Sequence, residues 1–173
     1  MMQGKIIELR AIERSDVETL YCYENDEQLW QDGFNRHPLS FVALNDFIDR
    51  SLEGDIFALR QERLVIADKT SHVPLGCIDA FEFNPYDLTC EIGIVVDAAH
   101  RRKGIATESI NLIINYLTNI IGIHTIDAKV RRSNAASVAL FRKCGFVETG
   151  ILPEHVRLAD GWDDVVILTY IAK

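Results

Sequence analysis

The residues best suited to chemistry stand in mid-chain, where Val95-Val96-Asp97-Ala98-Ala99-His100-Arg101-Arg102-Lys103-Gly104-Ile105-Ala106-Thr107 runs from an apolar strand end through a basic turn into a helical pattern. The first N–H groups of a helix have no partner inside it and carry partial positive charge, so such a turn can hold a phosphate. Gly104 lets the backbone approach an anion without a Cβ in the way, and Arg101, Arg102 and Lys103 add full charges. A basic surface turn is the competing reading of this segment alone; a Walker loop is excluded because Gly-Lys-Ser/Thr is missing. A second stretch, Asn134 to Phe146, follows the next apolar strand and offers Asn134 as a helix N-cap, with Ser137, Phe141 and Lys143 along the helix. Two strand carboxylates precede the basic turn. Glu91 alternates with Gly93 and Val95 and shares their face of the sheet, and Glu82 ends the strand before it; each is a candidate base, and each also reads as an exposed strand carboxylate. The acidic segment Glu24-Asn25-Asp26-Glu27, with Asp32, has the charge to receive a cation and equally the composition of a solvated loop.

The elements that must position these groups follow from periodicity. Ile6 to Ile12 reads as a strand, and Ser15-Asp16-Val17-Glu18 as a capping box opening a helix that runs to about Glu24. A second helix fits Leu39 to Leu52, because Phe41, Leu44, Ile48 and Leu52 recur at helical spacing. Residues 54 to 63 fit neither period. Leu64 to Ala67, Leu75 to Phe83 and Cys90 to Val96 form an expected antiparallel meander, punctuated by the turn-rich 68–72 and 84–87 segments. The spacing predicts a helix over Thr107 to Asn119, stopped at Gly122, then a strand over Ile123 to Val130 and a helix over Ala135 to Lys143. Glu148 to Ala159 and Trp162 to Ile171 flank an Asp160-Gly161 hairpin turn.

A chain of 173 residues, 48% apolar and 25% charged, without a linker-like or low-complexity tract, is expected to form a single domain over residues 1–173 with a self-sufficient core. Its net charge of −8 argues against nucleic acid as partner and is compatible with a cationic acceptor, as it is with an ordinary acidic globular protein. The start of the chain lacks an apolar leader pattern and no run approaches a membrane span, so the expectation is a cytoplasmic protein without a membrane partner. Cys22, Cys77, Cys90 and Cys144 form no Cys-x-x-Cys pair and read as reduced core or near-core thiols; the scattered histidines give no metal site.

Arg101-x-x-Gly104-x-Ala106 after a strand, then Asn134 and a helix ending Lys143-Cys144-Gly145-Phe146, resembles the acyl-CoA site of the GNAT N-acetyltransferases. Leu9-Arg10 and the late Asp160-Gly161-Trp162-x-Asp164 resemble the ribosomal-protein N-terminal acetyltransferase and spermidine N-acetyltransferase branch. The resemblance implies an α/β (α+β) fold: a mixed, mostly antiparallel sheet with one splayed parallel strand pair, flanked by about four helices. It implies acetyl-CoA as donor, with pantetheine along Ile94, Val95 and Val96, the pyrophosphate on Arg101, Arg102, Lys103, Gly104, Ile105, Ala106 and Thr107, and Asn134, Ser137, Phe141 and Lys143 as further cofactor contacts. Acetyl would pass to a primary amine (a polyamine, a protein N-terminus or a small amine) by direct attack in a ternary complex, with Glu91 as base and Glu24 and Glu82 facing the acceptor. A homodimer or larger homo-oligomer is the expected assembly. The chain departs from the family at Phe141, where many members carry a tyrosine that protonates the CoA thiolate. That departure leaves a second expectation open, a catalytically weak acyl-CoA-binding sensor.

Overall fold

The computed structural model describes residues 2–30 and 36–173. In chain order its elements are β1 (Met2–Gln3), β2 (Ile7–Ala11), α1 (Val17–Glu24), α2 (Glu27–Trp30), α3 (Phe41–Glu53), α4 (Ile56–Leu59), β3 (Glu62–Asp68), β4 (Pro74–Asn84), β5 (Thr89–Val96), α5 (Ile105–Tyr116), β6 (Thr125–Arg131), α6 (Ala135–Lys143), β7 (Val147–Leu158) and β8 (Gly161–Ile171). The eight strands form one sheet in the order β1-β2-β3-β4-β5-β6-β8-β7. Every neighbouring pair is antiparallel except β5 and β6, which α5 joins as a crossover. Four longer helices and the one-turn α2 and α4 flank the sheet.

Alternation along the strands splits the interior in two. Val65, Ala67 and Cys77 face α1 and α3 and pack with Leu20, Leu44 and Ile48. The intervening residues Ile66, Ile78, Ile92, Ile126 and Leu168 face the other way and pack with Ile110 and Ile113 of α5 and with Val138 and Phe141 of α6. Strands buried on both faces explain the near-continuous apolar runs of β3 to β5.

The main departures from the sequence reading have local causes. The capping box expected at Ser15–Glu18 is replaced by one that uses Asp16, whose carboxylate accepts the Glu13 N–H at 2.9 Å and pairs in two prongs with Arg10 of β2, at 2.7 and 2.8 Å. The Arg14–Asp16 segment is therefore a tight 3₁₀ turn leading into α1. The unassigned 54–63 stretch contains α4, which is only one turn long: Asp55 caps it through the N–H groups of Phe57 and Ala58, and Arg60 ends it in a left-handed conformation. α3 begins at Phe41, capped by Ser40. α5 begins at Ile105 because Gly104, at φ +84°, turns the chain into it, and past Tyr116 it widens into a π turn over Leu117–Ile121 before Gly122 stops it. Cys77, Cys90 and Cys144 are buried, but Cys22 is exposed; it sits two residues from Leu20 and so points away from the face that Leu20 buries.

Candidate active site

β5 and β6 pair only from Thr89/Thr125 to Glu91/Asp127, yet β5 continues to Val96 and β6 to Arg131. Beyond that short register the two strands part and form a fork. The fork side of β5 over Ile92–Val96 therefore has no strand to receive its hydrogen bonds. Gly76 of β4, opposite Val96, is what lets β5 curl there: a Cβ on Gly76 would lie 2.2 Å from the Val95 carbonyl oxygen. Sequence reasoning passed over this glycine because nothing local marks the close approach.

A cleft of about 700 Å³ opens at the fork. One end is the basic turn, from which Arg101, Arg102, Gly104, Ile105, Ala106 and Thr107 line it. Arg102 and Gly104 are both left-handed, at φ +62° and +84°, a conformation a non-glycine residue holds only where its surroundings impose it. The turn is held from behind. Asp97 accepts the Ala99 N–H at 2.9 Å and donates its own N–H to the Leu75 carbonyl, while Arg101 Nε donates to the Val96 carbonyl at 3.0 Å. No side chain caps α5, so the N–H groups of Ile105, Ala106 and Thr107 stay available at the cleft, with the positive end of a 12-residue helix behind them. This donor set fits a pyrophosphate, and the unpaired side of β5 fits a chain of amides laid beside it as an added strand.

The middle of the cleft is walled by Gly93, Ile94, Val95 and Val96 on one side and by Asn134, Ser137 and Leu140 of α6 on the other. Asn134 Oδ1 accepts the Ser137 N–H at 3.1 Å, so the N-cap role read from sequence is present at the cleft. Lys103 and Lys143 are exposed and do not line it. Phe141 lies elsewhere: it is 3% exposed and meets Phe146 edge-on at 5.1 Å inside the α5/α6 core.

Glu91 shares the face of Gly93 and Val95, as its alternation predicts, but it is 5% exposed and stands at the last paired position of the fork rather than in the cleft wall. Lys129 Nζ of β6 reaches it at 2.7 Å. Burial pushes the Glu91 carboxyl above its ordinary range, and the Lys129 hydrogen bond and charge oppose that rise. Glu82 is exposed at a left-handed kink, φ +51°, where the β4–β5 register slips; it lines an adjoining cavity of about 370 Å³ that shares Arg63, Asp79 and Phe81 with the cleft.

At the far end, Leu20, Tyr23 and Glu24 of α1 and Leu29 and Trp30 of α2 close over Arg63, Cys77, Asp79 and Phe81 on the sheet. Glu24 thus enters the cleft, whereas Asp26 and Glu27 are exposed outside it and Asp32 lies outside the described residues. Arg63 went unnoticed in the sequence, since its partners Glu24 and Asp79 are 39 and 16 residues away. Burial holds the Cys77 thiol up at about 12, so it is a neutral group in the cleft. Among the described residues no cluster of His, Cys, Asp and Glu is arranged to hold a metal, and no helix is long and apolar enough to cross a membrane.

Comparison with known proteins places this cleft in a family. The chain is 27% identical to the spermidine N(1)-acetyltransferase of Vibrio cholerae over 157 residues, 91% of this chain and 88% of that one. It is 23% identical to the ribosomal-protein-serine acetyltransferase of Escherichia coli over 161 residues, covering 92% and 89% of the two chains. The crystal structure of the Vibrio cholerae spermidine N-acetyltransferase with CoA and spermine superposes with a TM-score of 0.88 at 26% identity, covering 97% of this chain and 96% of that one. The acetyltransferase (GNAT) domain model matches residues 7–147, so this chain belongs to the GNAT acetyltransferases and is an N-acetyltransferase that draws its acetyl group from acetyl-CoA.

Proposed function

We propose that the chain, acting as one domain, transfers acetyl directly from acetyl-CoA to a primary amine while both occupy the cleft. The observation that carries this reading is the continuity of the cleft: one cavity runs from the phosphate-type turn, past the unpaired stretch of β5, to the Glu24 end. Donor and acceptor then meet at the fork without a relay. Cys77, the cysteine that lines the cleft, stays a thiol at neutral pH, which supports direct attack over an acetyl-enzyme.

In this reading Arg102, Gly104 and the first N–H groups of α5 bind the pyrophosphate, and Ile94, Val95 and Val96 orient the pantetheine arm. The neutral amine nitrogen attacks the thioester carbon, the C–S bond breaks, and its electron pair leaves on sulfur. The proton lost by the amine passes through water to Glu91, whose raised carboxyl is a better base than an exposed one. With Phe141 buried in the core, no phenol at that position protonates the departing thiolate; a thiol of pKa about 8.5 leaves adequately as the anion and takes its proton from solvent.

Acceptors of the relatives' classes, a polyamine or a protein N-terminus, are the first to test, together with small amines. The Vibrio cholerae relative is described in a dodecameric structure, and a homo-oligomer is proposed here too; the outer strand β7 leaves Val147 and Ile151 exposed along the sheet edge. Initial rates over a grid of acetyl-CoA and amine concentrations test the mechanism. Intersecting double-reciprocal lines are expected, and parallel lines would replace direct transfer with an acetyl-enzyme. Tight acetyl-CoA binding without thiol release for any amine would favour the sensor.

A further inference from the structure

The acceptor end of the cleft already contains a cation. Arg63 stands in its floor with its side chain 21% exposed, donating from Nη1 to Glu24 at 2.5 Å and in a two-pronged pair from Nε and Nη2 to Asp79 at 2.6 and 3.0 Å. Its guanidinium also lies 5.1 Å from the Phe47 ring centroid. Among the described residues, Glu24 and Asp79 are the two carboxylates in the wall of this cleft, and both are engaged by the same guanidinium. Trp30 locks the arrangement from above, since its Nε1–H donates to the Glu24 carbonyl at 2.7 Å and fixes the end of α1 that carries this carboxylate.

We infer that Arg63 is a specificity residue: a built-in cation that occupies the anionic floor where a second ammonium of the acceptor would otherwise bind. The inference rests on the amine-transfer reading and names its acceptor class, an amine with one positive charge and an apolar body. The charge remaining on the triad is one negative unit, enough for one ammonium. Tyr23, Leu29, Trp30 and Phe81 supply the surface for a short apolar body. A polyamine brings a further ammonium that finds no free carboxylate among the described residues of this wall and meets the guanidinium instead. The internal pair is difficult to displace, because it is mostly desolvated and its geometry is the two-pronged one that carboxylate and guanidinium prefer.

The test compares 1-aminopentane with 1,5-diaminopentane, equal in length, by calorimetric binding to the CoA-loaded protein and by kcat/KM with acetyl-CoA. The wild type is expected to take the monoamine at least as well as the diamine. Arg63→Gln frees two carboxylates and is expected to shift the diamine-to-monoamine affinity ratio by about tenfold or more toward the diamine, the effect of one charge at contact distance in a partly solvated cleft. Arg63→Lys, which keeps the cation, should leave the ratio near the wild-type value. Because Arg63→Gln strands two carboxylates and can unfold, Glu24→Gln provides the second arm: it lowers the negative charge while Asp79 retains Arg63, and the ratio should move further toward the monoamine. A wild type that prefers the diamine, a ratio unmoved by Arg63→Gln in a folded protein, or the absence of amine binding would each overturn the inference. Ratios that move as stated in binding, without turnover for either amine, would instead overturn the transfer reading and leave the role of Arg63 standing.

Discussion

Gly104→Ala separates the folding role of the basic turn from its binding role. The added Cβ meets nothing within 4 Å, so the substitution creates no clash in the protein itself. What it does impose is a left-handed backbone at φ +84° on a residue with a Cβ, costing about 1–2 kcal/mol. For a chain of this size that lowers Tm by about 2–4 °C per kcal/mol. The methyl group points into the open space that an anion seated on the α5 N-terminus would occupy. Backing the pyrophosphate away should weaken one or two charge-assisted hydrogen bonds, about 3 kcal/mol together, or on the order of a hundredfold in Kd. The assay pairs a thermal melt of the free protein with calorimetric titration of acetyl-CoA. A modest drop in Tm with a large rise in Kd is the expected pattern. A Kd within twofold of wild type, in protein that melts as expected, would refute the assignment of the turn to phosphate.

The remaining predictions concern the fork and the core. Glu91→Gln should lower kcat/KM by at least about 10²-fold and remove the acid limb of its pH profile; Lys129→Met should move that limb upward, since the lysine's hydrogen bond and charge hold the Glu91 carboxyl down. Phe141→Tyr places a hydroxyl in a site that is 3% exposed, so it should cost about 1–3 kcal/mol in urea unfolding without raising turnover; a faster enzyme would mean that the ring reaches the cleft. Asp16→Asn breaks the buried pair with Arg10 and should cost about 3 kcal/mol at pH 7. Burial alone would raise the Asp16 carboxyl, but the hydrogen bonds from Arg10 and the Glu13 N–H and the Arg10 charge bring it below its ordinary 3.8. Its contribution is therefore complete above that value and fades as pH falls through the lower folded value, so the stability gap between wild type and Asp16→Asn should narrow steadily as pH drops below the ordinary carboxylate range.

What the sequence disclosed was what short-range pattern encodes. Strands β3 to β5 announce themselves as apolar runs between turn residues, α5 and α6 as helical periods ended by Gly122 and Gly145, and the basic turn as cations and a glycine between a strand and a helix. The same alternation put Glu91 on the correct face. It did not disclose that Lys129 meets Glu91, because strand pairing across a crossover decides that contact. Arg63 with Glu24 and Asp79 escaped for the same reason, and Gly76 because only the neighbouring strand's carbonyl reveals the need for it. Capping was legible in kind and misplaced in detail: the box runs from Glu13 to Asp16 rather than from Ser15 to Glu18, since Arg10 from β2 fixes the Asp16 carboxylate. That Phe141 turns into the core and away from the cleft depends on packing against Phe146, a contact that a period of 3.6 residues does not specify on its own.

The short register between β5 and β6 makes the fork a seam in the sheet. Five strands lie on one side of it and three on the other, and among the described residues the strand pairing across it is limited to Thr89/Thr125 through Glu91/Asp127, with the His124 and Thr125 N–H groups also donating to the Leu88 carbonyl at the closed end. The two flanks are thus weakly coupled through the sheet, and α5 and α6 carry the rest of the connection. A substrate that hydrogen-bonds along Ile92–Val96 would act as a missing rung between them. Saturation at a hundred times Kd adds about 2.7 kcal/mol to global stability, and here that gain falls where the sheet is least cross-linked. Amide exchange should then slow on both flanks at once, turning two loosely joined cooperative units into one.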